Sequence, residues 1–349
     1  MTLDLSPDNP LVAPVSVGEW LEAIPAPIAL TGGTGFVGSH LVDTLCGAGL
    51  RPRVLVRDAA SPRWVGSVEA DFVEGSLEDR VSLGRLVNGA GTVVHLAGVL
   101  RAGRESDFDR GNRLGTANLV AAVRSHAPQA GFVHVSSLAA MGPSPDREGL
   151  GPHDGAAPIS AYGRSKLAGE SEVAALTDQQ RWCVLRPPAV YGPRDTDILE
   201  FFKMASRGIA AVPAGDRWLT VAYVADVVRA VIAAAARGQH GGFYHLGEPQ
   251  PRRLDEIFAE LASVGGCRVR VVGIPAAVVS AAGLVGSVLQ LAGWRRFPLT
   301  LDKTRELLAR HWTARTASSL GALGLGDGTP FADGAETTWR WYRATGWVR

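Results

Sequence analysis

Residues 28–48 read IALTGGTGFVGSHLVDTLCGA, and no other stretch limits the fold as tightly. Ile28, Ala29 and Leu30 form a short apolar run of the kind that makes a buried strand. Thr31 to Gly35 then place three glycines in five residues. From Phe36 onward apolar residues return at helical spacing, with Val37, Leu41 and Leu45 in register. Strand, glycine turn and helix in that order make the first half of a βαβ unit of the dinucleotide-binding kind. Gly33, Gly35 and Gly38 fit G-x-G-x-x-G, and Gly32, Gly35 and Gly38 fit the wider G-x-x-G-x-x-G. The early glycines allow a tight turn and a close approach of backbone to a pyrophosphate. Gly38 lets the helix pack on the strand, and the helix N-terminus, at Phe36 and Val37, faces the phosphates.

The rest of the chain continues the pattern. Strands are expected at Arg53 to Arg57, Ala70 to Val73, Thr92 to Leu96, Phe132 to Val135 and Trp182 to Leu185. Helices are expected between them at Leu77 to Val87, Phe108 to Val123 and Ser160 to Ala175. Alternation at about 25 to 30 residues predicts an α/β fold, a doubly wound parallel sheet. After Pro193 the alternation loosens. Helices are predicted at Ile198 to Arg207, Val224 to Ala236, Leu254 to Ser263, Pro275 to Ala292, Leu301 to Leu308 and Glu336 to Arg343, with short strands at Phe243 to Leu246 and Val269 to Val272. The expected organisation is an extension over residues 1–26, a dinucleotide-binding (Rossmann) domain over 27–193, and residues 194–349 as mostly a smaller substrate-binding cap, some segments of which return to the first domain. In the extension, Ser16 and Glu19 have capping-box spacing, so a helix from Ser16 to Ile24 docks through Trp20, Leu21 and Ile24.

A net charge of +1 from 35 basic and 34 acidic residues argues against a nucleic-acid binder. Cys46, Cys183 and Cys267 are odd in number and widely spaced, a pattern of neither metal site nor disulfide framework. With an N-terminus, MTLDLSPDNP, that lacks the order of a secretory signal, this gives a cytoplasmic expectation.

The chemistry is carried by three side chains. Tyr162 and Lys166 stand four apart at the start of a helix and so share a face. A free tyrosine ionises near pH 10, and a nearby ammonium is expected to stabilise the phenolate and lower that value. Ser137, at the carboxyl end of the fifth strand with Ser136, can share a substrate oxygen with Tyr162. A carbonyl held between them is polarised for hydride addition, and in reverse Tyr162 takes the alcohol proton. At the end of the second strand, Arg57 suits the 2′-phosphate of NADP(H), where a carboxylate would select NAD. Ala97 and Gly98 allow backbone close to a cofactor ribose.

TGGTGFVG, HLAG, Asn112 with Gly115-Thr116, VSSLAAMG, YGRSK and LRPPAVYGP resemble, in order, the extended short-chain dehydrogenase/reductase family, part of the NAD-dependent epimerase/dehydratase superfamily. The resemblance runs from about Ile28 to the C-terminus, where GTPF and WRWYRATGW are similar to the family's closing helix. It implies Ser137, Tyr162 and Lys166 as the active triad, and Asn112 as a helix-shaping or proton-relay residue. It implies cofactor contacts at Gly32, Gly35, Phe36, Val37 and Gly38. Further contacts are implied at Arg57, Ser76 and Leu77, at Leu96, Ala97 and Gly98, and at Ser136, Tyr162, Lys166, Pro187 and Val190. The cofactor implied is NADP, with NAD as the alternative, and no metal. Two departures stand out: the acidic residue that usually follows the third strand is Ser76, and the Tyr-Gly of sugar-nucleotide epimerases is Met141-Gly142.

VLVRD resembles the NADPH-dependent dihydroflavonol and cinnamoyl-CoA reductases, and SSLAAMGPSP the 3β-hydroxysteroid dehydrogenase branch. Met141 in place of tyrosine favours an apolar substrate. The expected function is therefore an oxidoreductase on a small hydrophobic hydroxy or oxo compound, 3β-hydroxysteroid or sterol-like, with decarboxylation where a β-keto acid forms. The alternatives are a nucleotide-sugar epimerase or dehydratase that retains its NAD(P), and a non-catalytic dinucleotide sensor, against which the intact triad argues. A homodimer is left open. So is peripheral membrane contact, because Val271 to Trp294 holds no charge for twenty-four residues. Pro275 and the polar Ser280, Ser287 and Gln290 argue against a span there. The expectation is a cap helix whose stripe of Val278, Ala281, Val285, Val288, Leu289 and Ala292 faces the core or a greasy substrate. The alternative is a helix lying flat on a membrane, with Arg268, Arg270, Arg295 and Arg296 as its basic flank.

Overall fold

The computed structural model describes residues 17–60, 62–176, 180–291 and 300–348. Short apolar runs become the strands of one parallel sheet: β1 (Ile28–Thr31), β2 (Arg53–Val56), β3 (Asp71–Glu74), β4 (Thr92–His95), β5 (Gly131–Val135) and β6 (Trp182–Arg186). The chain then lays down β7 (Ala189–Tyr191), β8 (Ile209–Pro213), β9 (Trp218–Leu219) and β10 (Val221–Tyr223) outside that sheet. It returns with β11 (Gly242–His245), which pairs with β6. The strand order is β11-β6-β5-β4-β1-β2-β3, so the winding reverses between β1 and β4. In such sheets ligands sit beyond the carboxyl ends at that reversal.

Side chains alternate between the two faces, as a sheet buried on both sides requires. Leu30, Val54, Val94, Val133 and Leu185 join one core with the helices α1 (Val17–Ala23) and α2 (Phe36–Gly47). Their chain neighbours Ala29, Leu55, Val93, Phe132 and Val184 join the opposite core, under α3 (Arg80–Val87) and, beyond the short α4 (Glu105–Phe108), α5 (Gly115–His126) and α6 (Ala161–Ala174). After α7 (Leu199–Ser206), α8 (Val224–Arg237) returns to the first core. The N-terminal helix docks through Trp20, Leu21 and Ile24 as expected; Ser16 lies outside the described residues.

Three boundaries move for local reasons. The third helix begins at Arg80, not Leu77, because the Asp79 carboxylate caps the N–H groups of Val81 and Ser82. The helix expected over 108–123 runs from Glu105 to His126 with a π-helical segment, Asp109–Leu114, inside it. π-Bulges of this kind are frequent at functional sites.

The later elements are β12 (Arg252–Arg253), α9 (Leu254–Val264), β13 (Arg270–Ile274), α10 (Ala276–Leu291), α11 (Leu301–Leu308), β14 (His311–Trp312), α12 (Ala317–Leu323) and α13 (Phe331–Ala344). The last begins five residues before the expected start, where Pro330 sits at the N-cap and its carbonyl accepts from Asp333 and Gly334. A separate aromatic core of Phe202, Phe258, Trp339 and Tyr342 joins α7, α9 and α13 to β7 and β10. Beside it, β13 pairs with β8 as a two-stranded ribbon.

The orientation expected for α10 is not the one found. Its packed face is Val279, Gly283 and Gly286, while Val278, Ala281, Val285 and Val288 are exposed. Small residues win the interface because α11 comes so close: a Cβ on Gly283 would lie 2.0 Å from the Thr304 hydroxyl oxygen. Ala292, Arg295 and Arg296 lie outside the described residues. No described helix is long and apolar enough to cross a membrane.

Buried imidazoles give this fold an acid limit. His40 bonds the Pro193 carbonyl (2.8 Å), His95 bridges the hydroxyls of Thr31 and Thr116 (2.6 and 2.9 Å), and His245 bonds the Leu150 carbonyl (3.0 Å). Burial lowers their pKa values to about 4, about 3 and about 4. Each folded value lies below the unfolded value of about 6.5, so below that pH the unfolded chain binds more protons. Stability present above about pH 6.5 is therefore expected to fall as pH drops toward 4. Thermal melts across this range check it; a constant midpoint down to about pH 5 would contradict it.

Candidate active site

The turn after β1 is a cradle that side chains could not share. Gly32 has φ +74°, and a Cβ there would sit 2.5 Å from the Ala97 nitrogen. A Cβ on Gly38 would sit 2.1 Å from the Gly32 carbonyl oxygen, and one on Gly33 2.6 Å from a Val54 methyl. At Gly35 a Cβ would meet, among the described residues, only the Gly32 oxygen at 3.2 Å. Gly35 is also the N-cap of α2, with no side-chain cap, and the first turn holds no acidic residue. Among the described residues, the N–H groups at Phe36, Val37 and Gly38 thus meet no competing side-chain cap. These residues fit the pyrophosphate of a dinucleotide.

The other expected cofactor contacts come from the carboxyl ends of successive strands. Arg57 follows β2, is exposed, and has no hydrogen-bond or ion-pair partner among the described residues. Asp58 is occupied, accepting from the Ala60 N–H at 2.9 Å. Beyond β3, the Ser76 hydroxyl accepts from the Glu78 N–H in a local turn (3.2 Å), and Leu77 packs where a Cβ on Gly115 would be 2.8 Å away. Leu96 and Ala97 leave β4 bonded to the carbonyl and hydroxyl of Thr31 at 3.1 and 3.3 Å. Past β6, the Pro187 carbonyl accepts from the Leu138 N–H (2.8 Å), and Val190 lies half-buried in β7. The Ser136 hydroxyl is committed elsewhere, donating to Glu170 at 2.5 Å.

Ser137 lies two residues beyond β5 and caps the short turn Leu138–Ala140, its hydroxyl accepting from the Ala139 N–H at 3.1 Å. Ser160 caps α6 through the Gly163 N–H and so sets Tyr162 in the first turn. The Tyr162 ring packs on Phe108 at 6.0 Å, and Ser137 is close enough to the phenol to work against the rise in its pKa. One turn on, Lys166 is buried and donates to the Val135 carbonyl at 2.9 Å. The Asn112 amide accepts from the Val99 N–H (2.7 Å) and donates to the Val99 carbonyl (3.0 Å) and the Ser165 hydroxyl (2.8 Å). It therefore clamps the loop after β4 to α6. A Cβ on Gly98 would lie 3.0 Å from Asn112 Oδ1 and 3.7 Å from Lys166 Nζ, so these three residues meet.

The electrostatics correct one expectation. Tyr162 is not lowered by Lys166 here: burial raises its pKa to about 12, against the opposing effect of Ser137. Lys166, whose ammonium is turned to a strand carbonyl, is itself lowered by burial to about 8, with Glu170 opposing. The phenol is thus held protonated at neutral pH.

Several neighbours escape a reading of the sequence. Glu170 accepts from Arg186 at 2.9 and 2.6 Å in a pair almost wholly out of solvent. The signal for it is Tyr162, Lys166 and Glu170 at consecutive helical turns. Asp302 of α11 accepts from the Ala161 N–H with both oxygens, at 3.1 and 3.0 Å, and nothing in the sequence pairs those positions. Met141 is 1% exposed and packs with Leu138 and Ala314, so it is core and not a pocket wall. Among the described residues no cluster of His, Cys, Asp and Glu could hold a metal.

The profile of the NAD dependent epimerase/dehydratase family matches residues 28–247. A ceramide reductase of Caulobacter vibrioides is 35% identical over 326 residues, covering 92% of this chain and 96% of its own. A 4-hydroxy-2-methyl-3-oxo-4-farnesyl-3,4-dihydroquinoline-1-oxide ketoreductase of Stigmatella aurantiaca is 28% identical, covering 76% and 80%. Among solved structures, the UDP-glucose 4-epimerase of Thermotoga maritima shares the fold with a TM-score of 0.73 at 23% identity, covering 91% and 99%.

Proposed function

Because the chain belongs to the NAD-dependent epimerase/dehydratase family and is an NAD(P)-dependent enzyme of the extended short-chain dehydrogenase/reductase type, we propose that it reduces a carbonyl on a long-chain hydrophobic molecule with NADPH. The observation that carries this is the placement of Ser137, just past β5, and Tyr162, in the first turn of α6, with buried Lys166 one turn on and bonded to the Val135 carbonyl. The substrate class is supported by the likeness to a ceramide reductase, so a keto group on a long-chain amide lipid is favoured over a steroid. The elements around Phe202 and Trp339 would form the cap over the substrate.

When bound, the reduced cofactor supplies the hydride. Ser137 and Tyr162 hold the carbonyl oxygen and polarise it. As the carbon gains hydride, the oxygen takes the proton of Tyr162 and becomes a hydroxyl. The phenolate left behind is reprotonated from solvent through Lys166, the cation one turn along α6. Asn112 positions the loop that Gly98 belongs to.

The near-ultraviolet absorbance of NADPH, followed with long-chain keto lipids, steroids and UDP-sugars in turn, tests the proposal. Oxidation with the keto lipids is expected. Consumption only with steroids would move the substrate class to sterols, and conversion of UDP-sugars without net oxidation would replace reductase by epimerase.

Cofactor choice has its own test. Arg57→Ala removes a charge-assisted contact to the 2′-phosphate, worth about 1.5 to 3 kcal/mol, or roughly 10- to 150-fold in NADPH affinity. NADH affinity should hardly change. Equal losses for both cofactors in a fluorescence titration would sink the assignment.

A further inference from the structure

We propose that the outer face of α10, with the adjoining β8–β13 ribbon, docks on an anionic lipid bilayer. Eleven large apolar side chains are exposed among the described residues, and eight lie in β8, β13, α10 and α11. On α10, Val278, Leu284, Val285 and Val288 are each more than half exposed and, with Ala281, form a stripe at helical spacing. They stand opposite the small residues that meet α11. On the ribbon, Ile209 faces outward beside Arg270, and Val272 beside Ala211. Leu301 and Leu307 add to this surface from α11.

Charge says what covers it. Arg207, Arg268, Arg270, Lys303, Arg305 and Arg310 are all exposed in and beside these elements. The two carboxylates of α11 are already engaged, Asp302 with the Ala161 N–H and Glu306 with Lys303 at 2.8 Å. An apolar stripe rimmed by cations is complementary to acyl chains under anionic headgroups. A second copy meeting this face through a twofold axis would instead bring the same arginines together. At 16 residues α10 is short of the roughly 20 needed to span a bilayer, so it would lie in the interface.

The docked face is one helix away from the candidate chemistry. Asp302 holds the amide that precedes Tyr162, so α11 links the membrane-facing helix to the head of α6. Delivery of substrate from the bilayer rests on the proposed lipid reductase activity; the docking itself does not.

Co-sedimentation of the full chain with vesicles tests this. Two compositions are used: phosphatidylcholine alone, and phosphatidylcholine mixed equally with phosphatidylglycerol. The chain is expected to pellet with the mixed vesicles, less with the neutral ones, and less as salt is raised. The triple variant Leu284→Gln, Val285→Gln, Val288→Gln should lose at least ~10-fold in partitioning while keeping its thermal midpoint. These residues are exposed, and turnover of a short, water-soluble ketone should stay at the wild-type level, which separates failure of docking from failure of the reductase assignment. A wild-type chain that stays in the supernatant with both compositions would overturn the proposal. So would a wild-type dimer in gel filtration that the triple variant converts to monomer, because a second copy would then be the occupant.

Discussion

Tyr162→Phe is expected to lower kcat by roughly 10²- to 10⁴-fold while leaving the NADPH Kd nearly unchanged. The substitution removes one oxygen from a ring that still packs on Phe108, so the fold of α6 is kept. What is lost, under the proposed mechanism, is the phenol proton that would pass to the carbonyl oxygen. With its pKa raised to about 12 by burial, the tyrosine is almost wholly protonated at neutral pH, the state reduction needs. The oxidative direction, which needs the phenolate, should by the same logic rise with pH. Turnover within a few-fold of wild type would mean that another group, or ordered water, supplies the proton.

The second large effect is on stability. Glu170→Ala leaves the Arg186 guanidinium buried without its carboxylate and strips the Ser136 hydroxyl of its acceptor. Breaking a buried pair in this way typically costs about 3 to 5 kcal/mol, a large part of a domain's total of about 5 to 15. The urea midpoint should fall accordingly. A double variant with Glu170→Leu and Arg186→Met, which removes both charges, should recover a good part of the loss. A single variant within about 1 kcal/mol of wild type would show that solvent reaches the pair.

How much of this is legible in the sequence depends on the range of the forces involved. The glycine turn can be read because contacts within a few residues dictate it: Gly38 must clear the Gly32 carbonyl whatever the rest of the chain does. The alternating strands can be read because a sheet covered on both faces demands apolar residues at neighbouring positions. β11 reads as a strand, but nothing in GFYH reveals its pairing with β6 after six intervening helices and strands. Ser137, Tyr162 and Lys166 carry their own signal in spacing and strand placement. Glu170 carries only its spacing after Tyr162 and Lys166, and Arg186 no signal at all, because a carboxylate on a helix reads as solvated until its partner is folded beneath it. The helix α10 misleads for a related reason. Apolar content marks a face for burial, yet the close approach of Thr304 selects the glycines instead. The larger side chains are then left for another medium.

The most direct measurement uses NADPH deuterated at the transferring position of the nicotinamide, with a long-chain keto lipid as substrate and mass spectrometry of the product. The expected product is the alcohol carrying one deuterium at the former carbonyl carbon, formed in step with NADP and nearly absent with Tyr162→Phe. An unlabelled or unchanged lipid, together with conversion of a UDP-sugar by the same preparation without net use of NADPH, would contradict the assignment as a lipid carbonyl reductase.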